Sequence, residues 1–491
     1  MAVETPEWVL DAVFYQIFPD RFARSDRVPK PAHLEAWDSR PTVYGFKGGD
    51  LLGVVEHLDY LQHLGVTAIY FNPIFQSAAN HRYHTHDYFQ VDPILGGNEA
   101  MRTLLDEAHG RGMRIVLDGV FNHASRGFFQ FHHILENGRA SPYIDWFRIN
   151  NDSLRPYHAP KGQHGYEAWW GLPALPKLNV DTPAVREFLW DVATHWIEFG
   201  VDGWRLDVPA EIDDDGFWRE FRRRVKGANP EAYIVGEIWH EARRWLQGDQ
   251  FDAVMNYPVT KACLAYFVGD NLLQEEAAKC GYHWIDPIDD QAFAAEIKRI
   301  LGLYPRSITE VQLNLLGSHD TPRFKTLARG DDSAYKLALL FQMTYPGAPC
   351  IYYGDEIGLE GGHEPASRNA FPWDEDRWDR DLHDYVKRCI ALRKDHAALR
   401  RGDLNWLFAG QGVVVYGRKL GGGVYLVLLN RSQRPVTLGV PVAGYLEDGT
   451  LLRDLWGGAV MNVVAGQVEG ARVPARSGVV LEAIGAKEGK T

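Results

Sequence analysis

Three carboxylic acids stand at the ends of apolar runs, each in a short polar cluster: Asp207 in GWRLDV, Glu237 in GEIWH and Asp320 in GSHD. A fourth cluster, DGVFNH, carries Asp118, Asn122 and His123. Convergent carboxyls suit cleavage of a glycosidic bond, where one acid attacks or stabilises the anomeric carbon and another protonates the leaving oxygen. A carboxyl kept protonated near neutral pH needs burial or nearby negative charge to raise its pKa. Arg205 lies two residues before Asp207, so it projects to the same side of its strand and would hold that acid ionised. A lone Asp at such a place is most often a salt bridge or a loop cap. Four clusters at equivalent places make that reading weak for the set.

The elements that must position these groups follow from the apolar pattern. Short runs near 13–18, 67–72, 114–119, 202–207, 233–238, 252–256, 311–316 and 349–353 read as buried strands. Helix-like stretches lie between them at 50–64, 98–112, 183–199, 214–227, 290–303 and 332–345. Strands alternating with helices predict an α/β fold, a (β/α)8 TIM barrel, with the four clusters on its C-terminal rim. Charged residues at that rim are not core filling, because the core lies below them. The barrel is expected over 1–124 and 179–400. Residues 125–178, rich in aromatics, Asn, Pro and Gly and without a clear helical period, predict a small inserted subdomain after the third strand. From 401 to 491 the pattern turns to alternation (VVVYGR, VYLVLLN, VTLGVPV), which predicts a C-terminal antiparallel β-sandwich.

Bulk properties narrow the function classes. Acidic and basic residues are interspersed and the formal net charge is −13, which gives no electrostatic reason to bind nucleic acid or an anionic membrane. No stretch approaches the ~20 apolar residues that span a bilayer, and the start, MAVETPEWVLDAVF, does not read as a signal peptide. The four cysteines show no metal-like spacing and are expected as reduced thiols, so the expected location is cytoplasmic. His81, His84 and His86 match no standard zinc spacing, and no metal is expected there. The 16 Trp, 22 Tyr and 23 Phe serve a large core equally well as they serve pyranose faces, so composition alone does not choose.

Taken together in order, the four clusters resemble the conserved regions of the α-amylase family, glycoside hydrolase family 13, from FYQIFPDRF to the C-terminal strands. That resemblance implies Asp207 as nucleophile, Glu237 as general acid/base and Asp320 as transition-state stabiliser. It implies sugar contacts from His123, Arg205 and His319, organisation of the site by Asp118 and Asn122, and a stacking tyrosine at Tyr83 in HRYHTHDY. LPKLN at 175–179, FDAVMNYP and LGSHDTPR are similar to signatures of neopullulanases, cyclomaltodextrinases and maltogenic amylases. The implied partners are α-glucan oligosaccharides: cyclodextrins, pullulan and maltooligosaccharides, with α-1,4 and in some members α-1,6 bonds cut. Trp239 and His240 would line the leaving-group side, and Arg368 would hold sugars across the cleaved bond.

The sequence departs from that pattern in several places. The subgroup's extra N-terminal β-domain is not seen, which leaves monomer and homodimer open. Ala210 stands where an Asn is usual, and Glu364 where an Asp is common. The segment after DRFARSD lacks the Asp/Asn series that ligates calcium in many relatives, so no cofactor is required by this reading and calcium stays an open question. A glucan transferase or isomerase would use the same carboxylates. A debranching specialist for α-1,6 bonds would too. A non-catalytic glucan-binding relative would be expected to have lost them, and all three are present.

Overall fold

The computed structural model describes residues 4–157 and 159–486. They fall into two compact units, one running to Met255 and including Arg368–Trp373, the other comprising Asn256–Ser367 and Asp374 onward.

In the first unit six parallel strands neighbour one another: β1 (Phe14–Ile17), β2 (Ala68–Phe71), β3 (Arg114–Gly119), β4 (Gly203–Leu206), β5 (Tyr233–Gly236) and β6 (Ala253–Val254). The second unit supplies a further parallel pair, β7 (Leu313–Leu315) and β8 (Ala348–Tyr352). These are the eight strands of a (β/α)8 barrel, each within a residue or two of an apolar run read from the sequence. Their side chains are buried on both faces, apart from the first residue of β3, which is why they read as continuous runs instead of an alternation.

Most of the helices between them bury one stripe, whereas the helix over Asp332–Thr344 is buried nearly all round. In α1 (Gly97–Gly110) the buried stripe is Ala100, Met101, Leu104, Leu105 and Ala108, at i, i+1, i+4, i+5 and i+8 on one face. Helix α2 (Pro183–Phe199) starts on a proline and ends on Gly200, whose φ of 115° is open to glycine alone among common residues. Helix α3 (Asp215–Ala228) is capped by Asp214, which accepts from Phe217 N, and it buries Phe217, Trp218, Phe221 and Val225. In the second unit, Asp289 caps α4 (Asp290–Leu301) and Asp331 caps α5 (Asp332–Thr344) in the same way.

Residues 125–178 contain one element the sequence did not announce, a helix at Phe129–Asn137. Its N-cap is Phe128, which makes no side-chain cap bond, so no start signal precedes it. Otherwise its described residues form short 3-10 turns at Gly138–Ala140, Ile144–Trp146 and Trp169–Gly171 and irregular chain, held by isolated bridges, among them His123 to Lys177 and Ala168 to Pro176. Of its aromatics, Phe128, Phe131, Phe147 and Tyr166 are buried as a local core, while Phe129, Tyr157 and Trp170 face solvent.

The C-terminal part carries β9 (Asp403–Gly410), β10 (Val413–Leu420), β11 (Gly423–Asn430), β12 (Val436–Pro441), β13 (Thr450–Asp454), β14 (Val460–Val464), β15 (Gln467–Val473) and β16 (Ser477–Ala486). They form one antiparallel order, β9-β10-β11-β16-β13-β14-β15-β12. Leu426 and Leu428 share a buried cluster with Val440, Val468 and Val473 from the far half of that order, so the sheet folds over on itself around one core.

Candidate active site

Strand register sets the site. Asp118 on β3 pairs with Arg205 on β4, which pairs with Val235 on β5. Asp207 and Glu237 each lie two residues past that level, so their side chains leave the same face one step higher. Their backbones prolong the ladders: Asp207 N donates to Gly119 O at 3.0 Å and Glu237 N to Leu206 O at 2.9 Å. Both acids therefore emerge where the strands stop.

Arg205 is the hub. Its Nη1 lies 2.8 Å and 2.9 Å from the two oxygens of Asp118 and 3.1 Å from Asp207 Oδ1. Its Nη2 is 2.9 Å from Glu237 Oε2, a charge contact without hydrogen-bond alignment. Asp118 also accepts from Tyr83 Oη at 2.8 Å and Tyr70 Oη at 3.1 Å. Asn72 Nδ2 donates to Tyr83 Oη, and Gln16 Nε2 donates to Asn72 Oδ1. The chain of donors thus runs from β1 through β2 to β3 and fixes Tyr83 in place. Sequence reading missed Gln16, Tyr70 and Asn72. The available signal was a polar side chain inside an apolar strand, with Tyr70 and Asn72 two apart and hence on one face.

Tyr83 sits on the link between two short paired strands, Phe75–Ser77 and Thr85–Val91. Arg82 before it has φ 59° and is wholly buried, with Nε on Asp92 at 3.0 Å and Nη1 on Asn80 O at 2.8 Å. That anchor turns the next residue toward the carboxylates.

The charges are uneven. Asp207 and Glu237 are 8% and 6% exposed, enough for a small opening. Burial pushes the Glu237 carboxyl above its ordinary range, against the pull of Arg205, the Val208 N–H and the Trp239 indole. Trp239 Nε1 donates to Glu237 Oε1 at 3.3 Å and Val208 N to Oε2 at 3.2 Å. Val208 itself, between the two acids, holds φ 37° and ψ 50°, a strained setting for a β-branched residue. Burial likewise raises the Asp118 carboxyl, while the acids around it hold Arg205 firmly charged. His123 is buried, which pushes it down to about 3 and keeps its ring neutral; Asn122 Nδ2 lies 3.2 Å from its Nδ1. His123 is also stacked on Trp169, with ring centroids 5.2 Å apart.

The remaining candidates are placed as follows. His240 is exposed and its Nδ1 lies 2.9 Å from Glu241 O. Arg368 lies over the Phe18 ring at 5.4 Å. In the second unit, His319 is buried and its Nε2 lies 3.0 Å from Asp320 Oδ2, with the Asp320 side chain 32% exposed. Asp320 N donates to Ser318 Oγ, and Ser318 N to Thr321 Oγ1, so the GSHD turn is self-locked. Among the described residues no group of three or more His, Cys, Asp or Glu could hold a metal ion. In the segment after DRFARSD, Lys30 Nζ meets Asp50 Oδ2 at 2.6 Å and Ile94 O at 3.1 Å.

With this geometry in hand, comparison with known proteins defines the class. Residues 16–400 match the family "Alpha amylase, catalytic domain", and residues 405–481 match "Neopullulanase-like, C-terminal domain". The chain belongs to the α-amylase family. It is an enzyme, a glycoside hydrolase of α-glucans. A cyclomaltodextrinase from Geobacillus thermopakistaniensis is 45% identical over 443 residues, covering 89% of this chain and 72% of that protein. The structure of Ttha1563 from Thermus thermophilus superposes with a TM-score of 0.93 at 51% identity, covering 97% of this chain and all of that one. A debranching enzyme from Nostoc punctiforme superposes with a TM-score of 0.89 at 48% identity, covering 98% of this chain and all of that one. No helix of the described residues is long and apolar enough to cross a membrane.

Proposed function

We propose that the enzyme cleaves α-glucosidic bonds with retention of configuration, Asp207 acting as nucleophile and Glu237 as general acid/base. The observation that carries this reading is the single guanidinium of Arg205 touching both acids, while burial keeps Glu237 inclined to hold its proton. Both acids lie beside that cation, so the bias of the buried Glu237 carboxyl toward its neutral form is what assigns it as the acid and leaves Asp207 as the nucleophile. In the first step an Asp207 oxygen attacks the anomeric carbon. The glycosidic C–O bond breaks as Glu237 passes its proton to the departing oxygen, leaving a glycosyl ester on Asp207. A water then attacks the same carbon, its proton goes to the Glu237 carboxylate, and Asp207 departs as a carboxylate. Two inversions restore the α-configuration.

Asp320 is read as the acid that stabilises the developing charge, with His319 presenting it. Tyr83 and His123 are read as contacts to the sugar at the cleavage point, and Asp118 as the group that holds Arg205. Short, cyclic and branched α-glucans are the proposed substrates, with α-1,4 and α-1,6 bonds both within reach. Support comes from the names carried by the similar proteins and from the aromatic segment 125–178. A cytoplasmic setting is proposed in keeping with the four free cysteines. NMR of the first sugar released should show the α-anomer, and Asp207→Ala should abolish turnover of cyclodextrin, pullulan and maltooligosaccharides alike. A β-anomer appearing first would overturn the assignment.

A further inference from the structure

The turn that presents Asp320 has a buried ion pair against its inner side. Asp355 lies just past β8, where Gly354 at φ 86° turns the chain, and it is 6% exposed. Its Oδ1 accepts from Arg323 Nη1 at 2.6 Å. Its Oδ2 stands 3.2 Å from the point a Cβ would occupy on Gly317, tighter than most such contacts. A methyl there would press on the carboxylate, so glycine at 317 lets the GSHD turn rest on Asp355.

Arg323 ties the other end of the same segment. It is wholly buried, and its guanidinium lies over the Tyr352 and Tyr353 rings at 4.4 Å and 5.1 Å. Its Nη1 also donates to Tyr353 O at 2.8 Å. Asp320 is thus carried between two points that meet one carboxylate, Gly317 by contact and Arg323 by charge. The end of β8 reaches His319 as well: Tyr352 Oη donates to Ser367 O at 3.2 Å, and Ser367 Oγ to His319 O at 3.3 Å. Glu356, wholly buried in the same turn, and the Tyr335 phenol on α5 share this environment; burial and the two acids keep the phenol neutral. The ion pair is a poor source of stability. Burial raises the Asp355 carboxyl to about 6 against the pull of Arg323, and Arg323 Nε and Nη2 are buried without a hydrogen-bond partner among the described residues. Well-packed apolar residues of similar volume often hold a fold as firmly. What this pair does supply is a fixed geometry, that of the turn carrying Asp320.

We propose that Asp355 is a positioning residue for the reaction: by supporting Gly317 and holding Arg323, its carboxylate fixes where the GSHD turn presents Asp320 and His319 to the sugar. The inference rests on the reading of Asp320 as the acid that stabilises the developing charge, and it names the group that keeps that acid in place. Asp355 acts through the turn and needs no contact with substrate. Its grip on Arg323 is ionic, so it depends on charge. At neutral pH the carboxylate is ionised and the turn is held. As pH falls through about 6 it takes up a proton, the ion pair is lost and Asp320 is presented less well. Asp355 thereby sets an acidic limb of kcat.

The test measures kcat and KM for maltohexaose across the range from about pH 4.5 to about pH 8, with Tm recorded throughout, in wild type, Asp355→Asn, Gly317→Ala and the double variant. Asp355→Asn keeps the size of the side chain and removes its charge. At neutral pH its kcat should fall about 10- to 100-fold while KM changes less than about twofold, and the acidic limb near pH 6 should vanish. A role in stability alone would lower Tm and leave that limb in place. Gly317→Ala keeps both charges but pushes the turn off the carboxylate, so it should lower kcat too, and the double variant should lose less than the product of the two. An acidic limb unmoved in Asp355→Asn, or absent from wild type, overturns the proposal. If Asp355→Asn does not fold, Gly317→Ala decides alone, and wild-type kcat in that variant overturns it. An Asp320→Ala variant that keeps its turnover would instead overturn the reading of Asp320, which separates the two failures.

Discussion

Asp118 and Arg205 face each other across neighbouring strands, bonded at 2.8 Å and 2.9 Å, and neither side chain meets solvent. A buried ion pair of this kind contributes little net stability when intact. Removing one partner is costly, because the other charge stays behind in a poor solvent. Arg205→Met should therefore destabilise the first unit by about 3–5 kcal/mol. The double variant Arg205→Met with Asp118→Asn should recover part of that loss, which a urea denaturation cycle would measure as coupling. Activity should fall by roughly two orders of magnitude or more in both, since the proposed nucleophile loses its cation. A single variant as stable as wild type would contradict the role given to the pair.

Glu237 titrates under two opposed influences, and one can be removed lightly. The Trp239 indole donates to Oε1 and favours the carboxylate. Trp239→Phe removes that donor while keeping an aromatic ring, so the folded pKa of Glu237 should rise further. In the proposed role Glu237 must be protonated to act, so kcat/KM declines as pH climbs through that pKa. The alkaline limb of the Trp239→Phe profile should thus lie at higher pH than in wild type. A limb moved to lower pH would show that the indole does not act through Glu237.

His84, near His81 and His123, is partly buried and pushed down to about 4. In the unfolded chain it takes up a proton below about 6.5. The fold therefore loses stability from this residue as pH drops from about 6.5 to about 4, by up to roughly 1.4 kcal/mol per pH unit, and no further below that. His84→Gln should flatten the dependence of Tm on pH between 6.5 and 4.5. Identical slopes for variant and wild type would mean that other groups set the acid sensitivity.

Much of the candidate site's geometry was legible because the barrel converts sequence order into position. A polar residue at the end of an apolar run must reach the rim, so Asp207 and Glu237 could be located by counting. Arg205 could be aimed by strand periodicity alone, and its contact with Asp207 follows that alternation. What escaped is what strand pattern does not encode. Gln16 and Asn72 are read as chain filler until three strands are brought side by side. The helix at Phe129–Asn137 lacks a capping side chain and buries only Phe131 and Ile134, too few positions for a period to show. Trp170 adopts φ 52°, a backbone choice that a Trp at that position gives no reason to expect.

The hub around Arg205 also has a charge tally. One guanidinium serves three carboxyl groups, Asp118, Asp207 and Glu237, all nearly out of solvent. With Glu237 protonated, two carboxylates still share a single positive charge, and the pocket is left one cation short. On the proposed reaction the missing cation arrives only when the sugar ring acquires oxocarbenium character. Neutral ground-state glucose does not supply it. The protein is built as an incomplete salt, and the fleeting sugar cation is the ion that completes it.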